Sequence, residues 1–221
     1  MKMLSIDTSA KTCSAAVCED NKILSAKTLD EGLTHSETLM PLIDEMLLKA
    51  GVDIADIELI ACVNGPGSFT GLRIGICAAK GFAQTLDIPL VEIDTLELLS
   101  KNAGDFDGLV VPMLDARRGQ VYAAIFENGK RVSNDMAEAV EDVVKLTEGK
   151  RALFLGDGAV ALKEKILAVK SDAKFTCDNF THAEKAVGIA LESVKTDAFG
   201  IMPNYLRKSQ AERKKDESYG N

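Results

Sequence analysis

Asp7-Thr8-Ser9-Ala10-Lys11-Thr12-Cys13-Ser14-Ala15-Ala16-Val17-Cys18-Glu19-Asp20-Asn21-Lys22 and Asp115-Ala116-Arg117-Arg118-Gly119-Gln120-Val121-Tyr122-Ala123-Ala124-Ile125-Phe126-Glu127-Asn128-Gly129-Lys130 lie 108 positions apart. Laid over each other without a gap, they agree at Asp7/Asp115, Ala15/Ala123, Ala16/Ala124, Glu19/Glu127 and Lys22/Lys130. Each follows an apolar strand, Met3–Asp7 or Leu109–Asp115, with Ile6 matching Leu114 in character. The first stretch predicts a hairpin of Cys13–Cys18 with Lys22–Thr28 around Glu19-Asp20-Asn21. The second predicts Val121–Glu127 against Lys130–Val132 across Asn128-Gly129, residues that accept the positive φ of a two-residue turn. A hairpin repeated with the same order of elements after it is the mark of an internal duplication.

Outward from the first hairpin, Leu39, Ile43, Met46, Leu47 and Ala50 recur at helical spacing, and Gly51 stands where a C-terminal cap belongs. Leu59–Val63 predicts a buried strand, Thr70–Leu86 a second helix, Pro89–Ile93 a strand and Leu96–Lys101 a short helix. Outward from the second hairpin, Val140–Leu146 and Ala159–Val169 predict helices on either side of the strand Ala152–Leu155. Phe175–Cys177 predicts a short strand, and Thr181–Val194 a closing helix with Thr181 as N-cap. Two β-β-β-α-β-α units in tandem are the layout of the actin/Hsp70/sugar-kinase-like (ASKHA) α/β fold, whose halves face each other across a cleft. The expected division is 1–104, 105–206 with an end that can pack back on the first half, and a polar basic tail at 207–221.

The chain has 221 residues, 46 % of them hydrophobic and 27 % charged, which excludes disordered and collagen-like classes. With 26 basic against 34 acidic residues it carries −8, so a broad basic surface for nucleic acid is excluded. From Arg207 onward, however, five basic residues outnumber three acidic ones. Five cysteines, an odd number with no C-x-x-C pair, point to a reducing compartment. Asp7, Lys11 and Glu19 interrupt every early apolar run, so a cytoplasmic protein is expected.

The residues that could carry chemistry are few. Asn64-Gly65-Pro66-Gly67-Ser68-Phe69-Thr70-Gly71 lacks the G-K-[ST] of a P-loop, and Pro66 removes a backbone donor. A tight strand-to-helix turn is the better reading, with Asp7, Gly65, Gly67, Ser68 and Thr70 kept as candidates for weak nucleotide or complex-interface contact. Asp7 and Asp115 suit either a metal-bound nucleotide between the halves or ordinary turns. Of two histidines, His35 is followed four residues on by Leu39, so no i, i+4 pair grips a metal and no metal site is expected. Gly71, Gly75, Ala78, Ala79 and Ala83 line one side of the second helix with small residues, inviting another backbone from inside or outside the molecule. The first helix is apolar beyond one face through Met40, Leu42 and Leu48. A partner surface is therefore expected in which Leu39, Met40, Ile43 and Leu47 pack against a groove of Gly71, Arg73, Gly75 and Ala78. Without a partner the same patch can form a two-fold homodimer.

Asp7-Thr8-Ser9, the run Gly65–Gly75, Asp115–Tyr122 and Tyr205-Leu206-Arg207, taken in register, resemble the bacterial TsaB family over essentially the whole chain. The resemblance implies a protein of two actin-like subdomains that is not catalytic alone. It implies work in forming threonylcarbamoyladenosine, the modified adenosine beside the anticodon of tRNAs that read codons beginning with A. Its partners would be the catalytic paralogue TsaD, reached through the first two helices, and the ATPase TsaE, with tRNA engaged through the complex. TsaD carries a metal-binding H-x-x-x-H where this chain has His35-Ser36-Glu37-Thr38-Leu39. No cofactor is then expected in the isolated chain, with ATP, ADP or a metal entering only in the complex. The competing readings are an ATP-dependent small-molecule kinase and a glycopeptidase-like metallohydrolase of the same fold.

Overall fold

In chain order the strands are β1 (Lys2–Asp7), β2 (Cys13–Glu19), β3 (Lys22–Leu29), β4 (Leu59–Gly65), β5 (Leu90–Asp94), β6 (Leu109–Asp115), β7 (Gln120–Ala123), β8 (Phe126–Glu127), β9 (Lys130–Arg131), β10 (Met136–Ala139), β11 (Ala152–Leu155), β12 (Lys174–Phe175) and β13 (Lys195–Thr196). The helices are α1 (His35–Ala50), α2 (Phe69–Leu86), α3 (Thr95–Ser100), α4 (Val140–Lys145), α5 (Asp157–Ala161), α6 (Lys163–Val169) and α7 (Ala186–Glu192). This computed structural model describes residues 1–30 and 34–207.

The first sheet runs β3-β2-β1-β4-β5, antiparallel through β1–β3 and parallel through β1, β4 and β5. The second runs β10-β7-β6-β11-β12 with the same alternation of sense. That shared order is the duplicated ASKHA arrangement read from the two hairpins. Strands β1 and β4 are near-continuous apolar runs because both faces of the first sheet are covered. On one face Leu4, Ile6, Val17, Ile60 and Cys62 pack beneath α1 and α2. On the other, Met3, Leu59, Ala61 and Ile93 pack beneath Leu98 of α3 and Ala186, Val187 and Ala190 of α7. Helix α3 turns Leu96 and Leu99 toward Val110, Leu114, Phe126 and Leu155, which joins the two sheets through apolar contact.

Helix α1 starts at a capping box, in which the Thr34 N–H donates to the Glu37 carboxylate at 3.3 Å. It ends at Gly51, whose φ of 65° satisfies the last carbonyls in the left-handed form. The Ser68 hydroxyl caps α2 by accepting from the Gly71 N–H at 3.2 Å.

The second half departs from the expected elements where local chemistry intervenes. The strand expected over Val121–Glu127 divides into β7 and β8, because Pro112 sits opposite Ala124 in the register and has no N–H to offer the ladder. Beside it the Ile125 N–H donates to the Ser133 hydroxyl at 2.8 Å. The helix expected over Ala159–Val169 breaks at Leu162 into α5 and α6. Thr181 is no helix cap: it is buried, a 3-10 turn begins at Ala183, and α7 starts only at Ala186. Strands β10 and β13 were invisible to periodicity, being four and two residues long. The gapless match of the two hairpins also slips by one residue in space. Ala15 faces Ile6, whereas Ala123 faces Met113 rather than Leu114. The second turn is that much tighter, with Arg117, Arg118 and Gly119 at φ of 67°, 57° and 75°.

The residues after Thr181 return to the first sheet. α7 covers its face and β13 pairs with β5, so the end of the 105–206 segment packs back on the first half.

Candidate functional site

Two regions gather the sequence-selected residues, the α1/α2 pair and the cleft between the halves. In the first, the structure corrects the expected partner groove. Leu39, Ile43 and Leu47 lie in the core of the first half, together with Leu42, which the sequence pattern had set off that face. Gly71 and Gly75 are also buried. A Cβ on Gly71 would overlap the Thr8 carbonyl oxygen, and one on Gly75 would overlap the Thr8 hydroxyl. The Thr8 hydroxyl donates to the Gly71 carbonyl at 2.7 Å, so the groove is already filled from inside. The small-residue side of α2 serves the approach of the β1–β2 loop, and Ala78 packs half-buried against the same core.

What α1 and α2 do present outward is a different pair of stripes. On α1, Glu37, Met40, Asp44 and Leu48 are exposed at helical spacing, with Met40 45 % and Leu48 83 % accessible. On α2, Thr70, Arg73, Cys77, Gly81 and Gln84 form the matching row. Gly81 has nothing within 4 Å of a Cβ built on it, so no internal neighbour explains a glycine in mid-helix. Such a residue costs about 1 kcal/mol relative to alanine.

The cleft has a volume of about 750 Å³ and lies between the β1–β2 loop and the turn after β6. Its walls include Ser9, Lys11, His35, Gly67, Ser68, Phe69, Asp115, Arg117, Arg118, Tyr122, Asp157, Tyr205 and Arg207. The glycine run forms the tight turn expected of it. The Ser68 N–H donates to the Ser9 carbonyl at 2.6 Å, and a Cβ on Gly67 would overlap that same oxygen. A Cβ on Gly65 would press on the Asn204 carbonyl at 2.6 Å. Asp7 is buried, its Oδ1 accepting from the Ser9 N–H at 2.8 Å. Of the two aspartates read as a nucleotide–metal pair, only Asp115 lines the cleft, so that pairing is not assembled.

Across the cleft, Asp115 Oδ1 accepts from the Arg117 N–H at 2.8 Å, and Asp157 Oδ1 accepts from the Asp115 N–H at 3.0 Å. Burial pushes the Asp157 carboxyl above the usual range against those backbone donors. Holding Arg117 and Arg118 in left-handed backbone costs about 1 kcal/mol each, and both side chains remain exposed. Among the described residues no group of three or more His, Cys, Asp or Glu could hold a metal. His35 is half-buried with its Nε2 2.9 Å from the Ala10 carbonyl, and Leu39 one turn on is buried.

A strap and an ion-pair group, neither foreseen as a unit, tie the halves together. The Asn204 N–H donates to the Asn64 carbonyl at 2.7 Å on one side, and the Asn204 amide reaches Asp135 at 3.3 Å on the other. Tyr205 stacks on Phe69 at 4.5 Å, and Arg73 covers Phe69 at 3.8 Å while its Nε donates to the Tyr205 hydroxyl at 2.9 Å. Arg73, selected as a partner contact, is thus first a brace for the strap. Arg207, assigned to the tail, donates to the Ala116 carbonyl at 3.2 Å and to Gln120; the rest of the tail lies outside the described residues. Asp94 of the first half accepts from Arg131 of the second at 2.6 Å, and Arg131 also pairs with Asp135. Burial pushes the Asp94 carboxyl up to about 6, against the pull of Arg131. The motif Tyr205-Leu206-Arg207 was the one signal in the sequence for this group.

Fold and cleft together define an ASKHA-class protein with exposed arginines on the turn after β6. The family described as TsaD, tRNA N6-adenosine threonylcarbamoyltransferase, matches residues 31–215. The tRNA threonylcarbamoyladenosine biosynthesis protein TsaB of Bacillus subtilis (strain 168) is 34 % identical, over 99 % of both chains. The TsaB of Escherichia coli (strain K12) is 35 % identical over 58 % of each. An uncharacterized Pseudomonas aeruginosa protein with similarity to peptidase YeaZ shares the fold with a TM-score of 0.81 at 24 % identity, over 93 % of this chain and 99 % of that one. The chain belongs to this TsaD-related family and, within it, to the TsaB proteins. Among the described residues no helix is long and apolar enough to cross a membrane.

Proposed function

We propose that this chain works in tRNA threonylcarbamoyladenosine biosynthesis as a cytoplasmic, non-catalytic partner of a TsaD-type enzyme. The likeness over 99 % of both chains to a protein named for that pathway supports the pathway. The observation that carries the partner role is the pair of outward rows, with Met40 and Leu48 exposed on α1 and, on α2, Cys77 and a glycine that no internal neighbour requires. Two adjacent helices with exposed apolar and small positions fit an equivalent helix pair as half of a four-helix bundle. His35 is used on a backbone carbonyl and Leu39 replaces a second ligand, which supports a chain without its own metal chemistry. ATP, ADP or a metal would enter only with TsaD and the TsaE ATPase, and the same helix face would form a homodimer when TsaD is absent. The kinase reading would need the Asp7–Asp115 pair, of which only Asp115 lines the cleft, and the metallohydrolase reading a second ligand where Leu39 stands.

Gly81→Leu tests this directly. Leucine fits the open space and is the better helix former, so the variant stays folded. Co-purification with the TsaD paralogue of the same organism should be lost, and the modified adenosine should fall below a tenth of its level in cells relying on the variant. A folded Gly81→Leu chain that still pairs and supports modification would place the partner elsewhere.

A further inference from the structure

Four cationic side chains, Lys11, Arg117, Arg118 and Arg207, converge on one cleft in a chain of net charge −8. Only Asp115 and Asp157 among the cleft walls oppose them. Asp115 pairs with Arg117 at 3.4 Å, where the arginine is 88 % exposed, and Lys11 makes a surface pair with Asp30. Arg118 has no ion pair among the described residues, and the described partners of Arg207 are neutral oxygens of Ala116, Gln120 and Ala137. Local positive charge therefore survives at the cleft mouth.

A nucleotide polyphosphate is cradled by free main-chain N–H groups. At this cleft six such donors are already used within the protein: Ser9 on Asp7, Ser68 on Ser9, Asp115 on Asp157, Arg117 on Asp115, Ala116 on Gln120 and Gln120 on Arg117. Exposed guanidinium forks remain, carried on a turn whose left-handed residues fix its shape. Forks on a rigid, outward turn match phosphodiester oxygens spaced along a strand.

We infer that the mouth of this cleft, through Lys11, Arg117 and Arg118, docks the phosphodiester backbone of RNA, which the proposed function identifies as the tRNA to be modified. The inference rests on that reading for the identity of the RNA. The chemistry of the contact rests on the cleft.

The test is tRNA affinity of the full chain assembled with its TsaD paralogue, titrated from 50 to 200 mM salt, for the native pair and for Arg117→Glu/Arg118→Glu. Loss of two phosphate contacts should weaken binding about tenfold or more and flatten the log–log salt slope by roughly 1.5. Arg117→Lys/Arg118→Lys should restore most of the affinity. An assembled glutamate variant with native affinity and slope overturns the inference and leaves the proposed function standing. A variant that fails to assemble with the paralogue also overturns it, since the cations would then serve an acidic protein face. Loss of ATP or inorganic phosphate binding without loss of tRNA binding does the same. If the native chain itself does not pair with the paralogue, the proposed function fails; the same slope comparison on the chain alone then decides the RNA contact.

Discussion

The two halves solve the same turn differently. After β1, Asp7–Thr12 is drawn inward, with Thr8 seated on Gly71 and Gly75 and Ser9 accepting from Ser68, so the loop is a structural weld to α2. After β6, the equivalent Asp115–Gln120 closes on itself through Asp115, Arg117 and Gln120, and throws two arginines outward. One copy of the duplicated unit has given its loop to packing. The other has given its loop to charge. A repeated unit thus keeps its strand order while its turns diverge, because strand order is held by the sheet and a turn only by its own local bonds.

The largest effect should come from breaking the weld. Gly75→Leu would drive a side chain into the Thr8 hydroxyl and β1, and overpacking against backbone-anchored neighbours should cost about 3 kcal/mol or more. Chemical denaturation should show it, with Gly81→Leu six residues along the same helix as the unaffected control. Equal stability of the two variants would mean that the first-half loop is no weld.

A smaller effect concerns the tie between the halves. Burial raises Asp94, so the folded state holds its proton more tightly than the unfolded state does. Asp94 therefore favours folding at acid pH, and this contribution is lost as pH rises from about 4 to about 6. Asp94→Asn keeps an acceptor for the Glu97 N–H but does not titrate. The stability of native chain minus variant should fall by about 2 kcal/mol between pH 4 and pH 7. A difference flat with pH would show that Arg131 holds Asp94 ionised throughout.

The smallest effect is a labelling pattern. Burial pushes the Cys13 and Cys18 thiols up to about 11 and raises Cys62 further, while Cys77 and Cys177 are exposed. Two thiols per chain should react rapidly with a maleimide at neutral pH. Bound paralogue should protect Cys77 on the α2 row and leave Cys177 reactive; equal reactivity of both in the complex would remove α2 from the interface.

Much of the architecture was legible before any coordinates. The repeated hairpins, the helical stripe ending at Gly51 and the apolar runs Leu59–Val63 and Leu109–Asp115 each encode their own element, since periodicity and turn chemistry are properties of neighbours in sequence. The cap at Gly51 and the tight turn at Gly65–Gly71 were readable for the same reason. Direction was not. A small-residue row on α2 announces that something comes close along one side, yet only the fold decides that the neighbour at Gly75 is Thr8 from inside the molecule. Leu39, Ile43 and Leu47 likewise read as one apolar face, and only packing consigned that face to the core while leaving Met40 and Leu48 outside. The strap of Asn204, Tyr205 and Arg207 and the Asp94–Arg131–Asp135 group join residues tens of positions apart. Such contacts have no sequence period, because they are made by whichever surfaces the two sheets bring together.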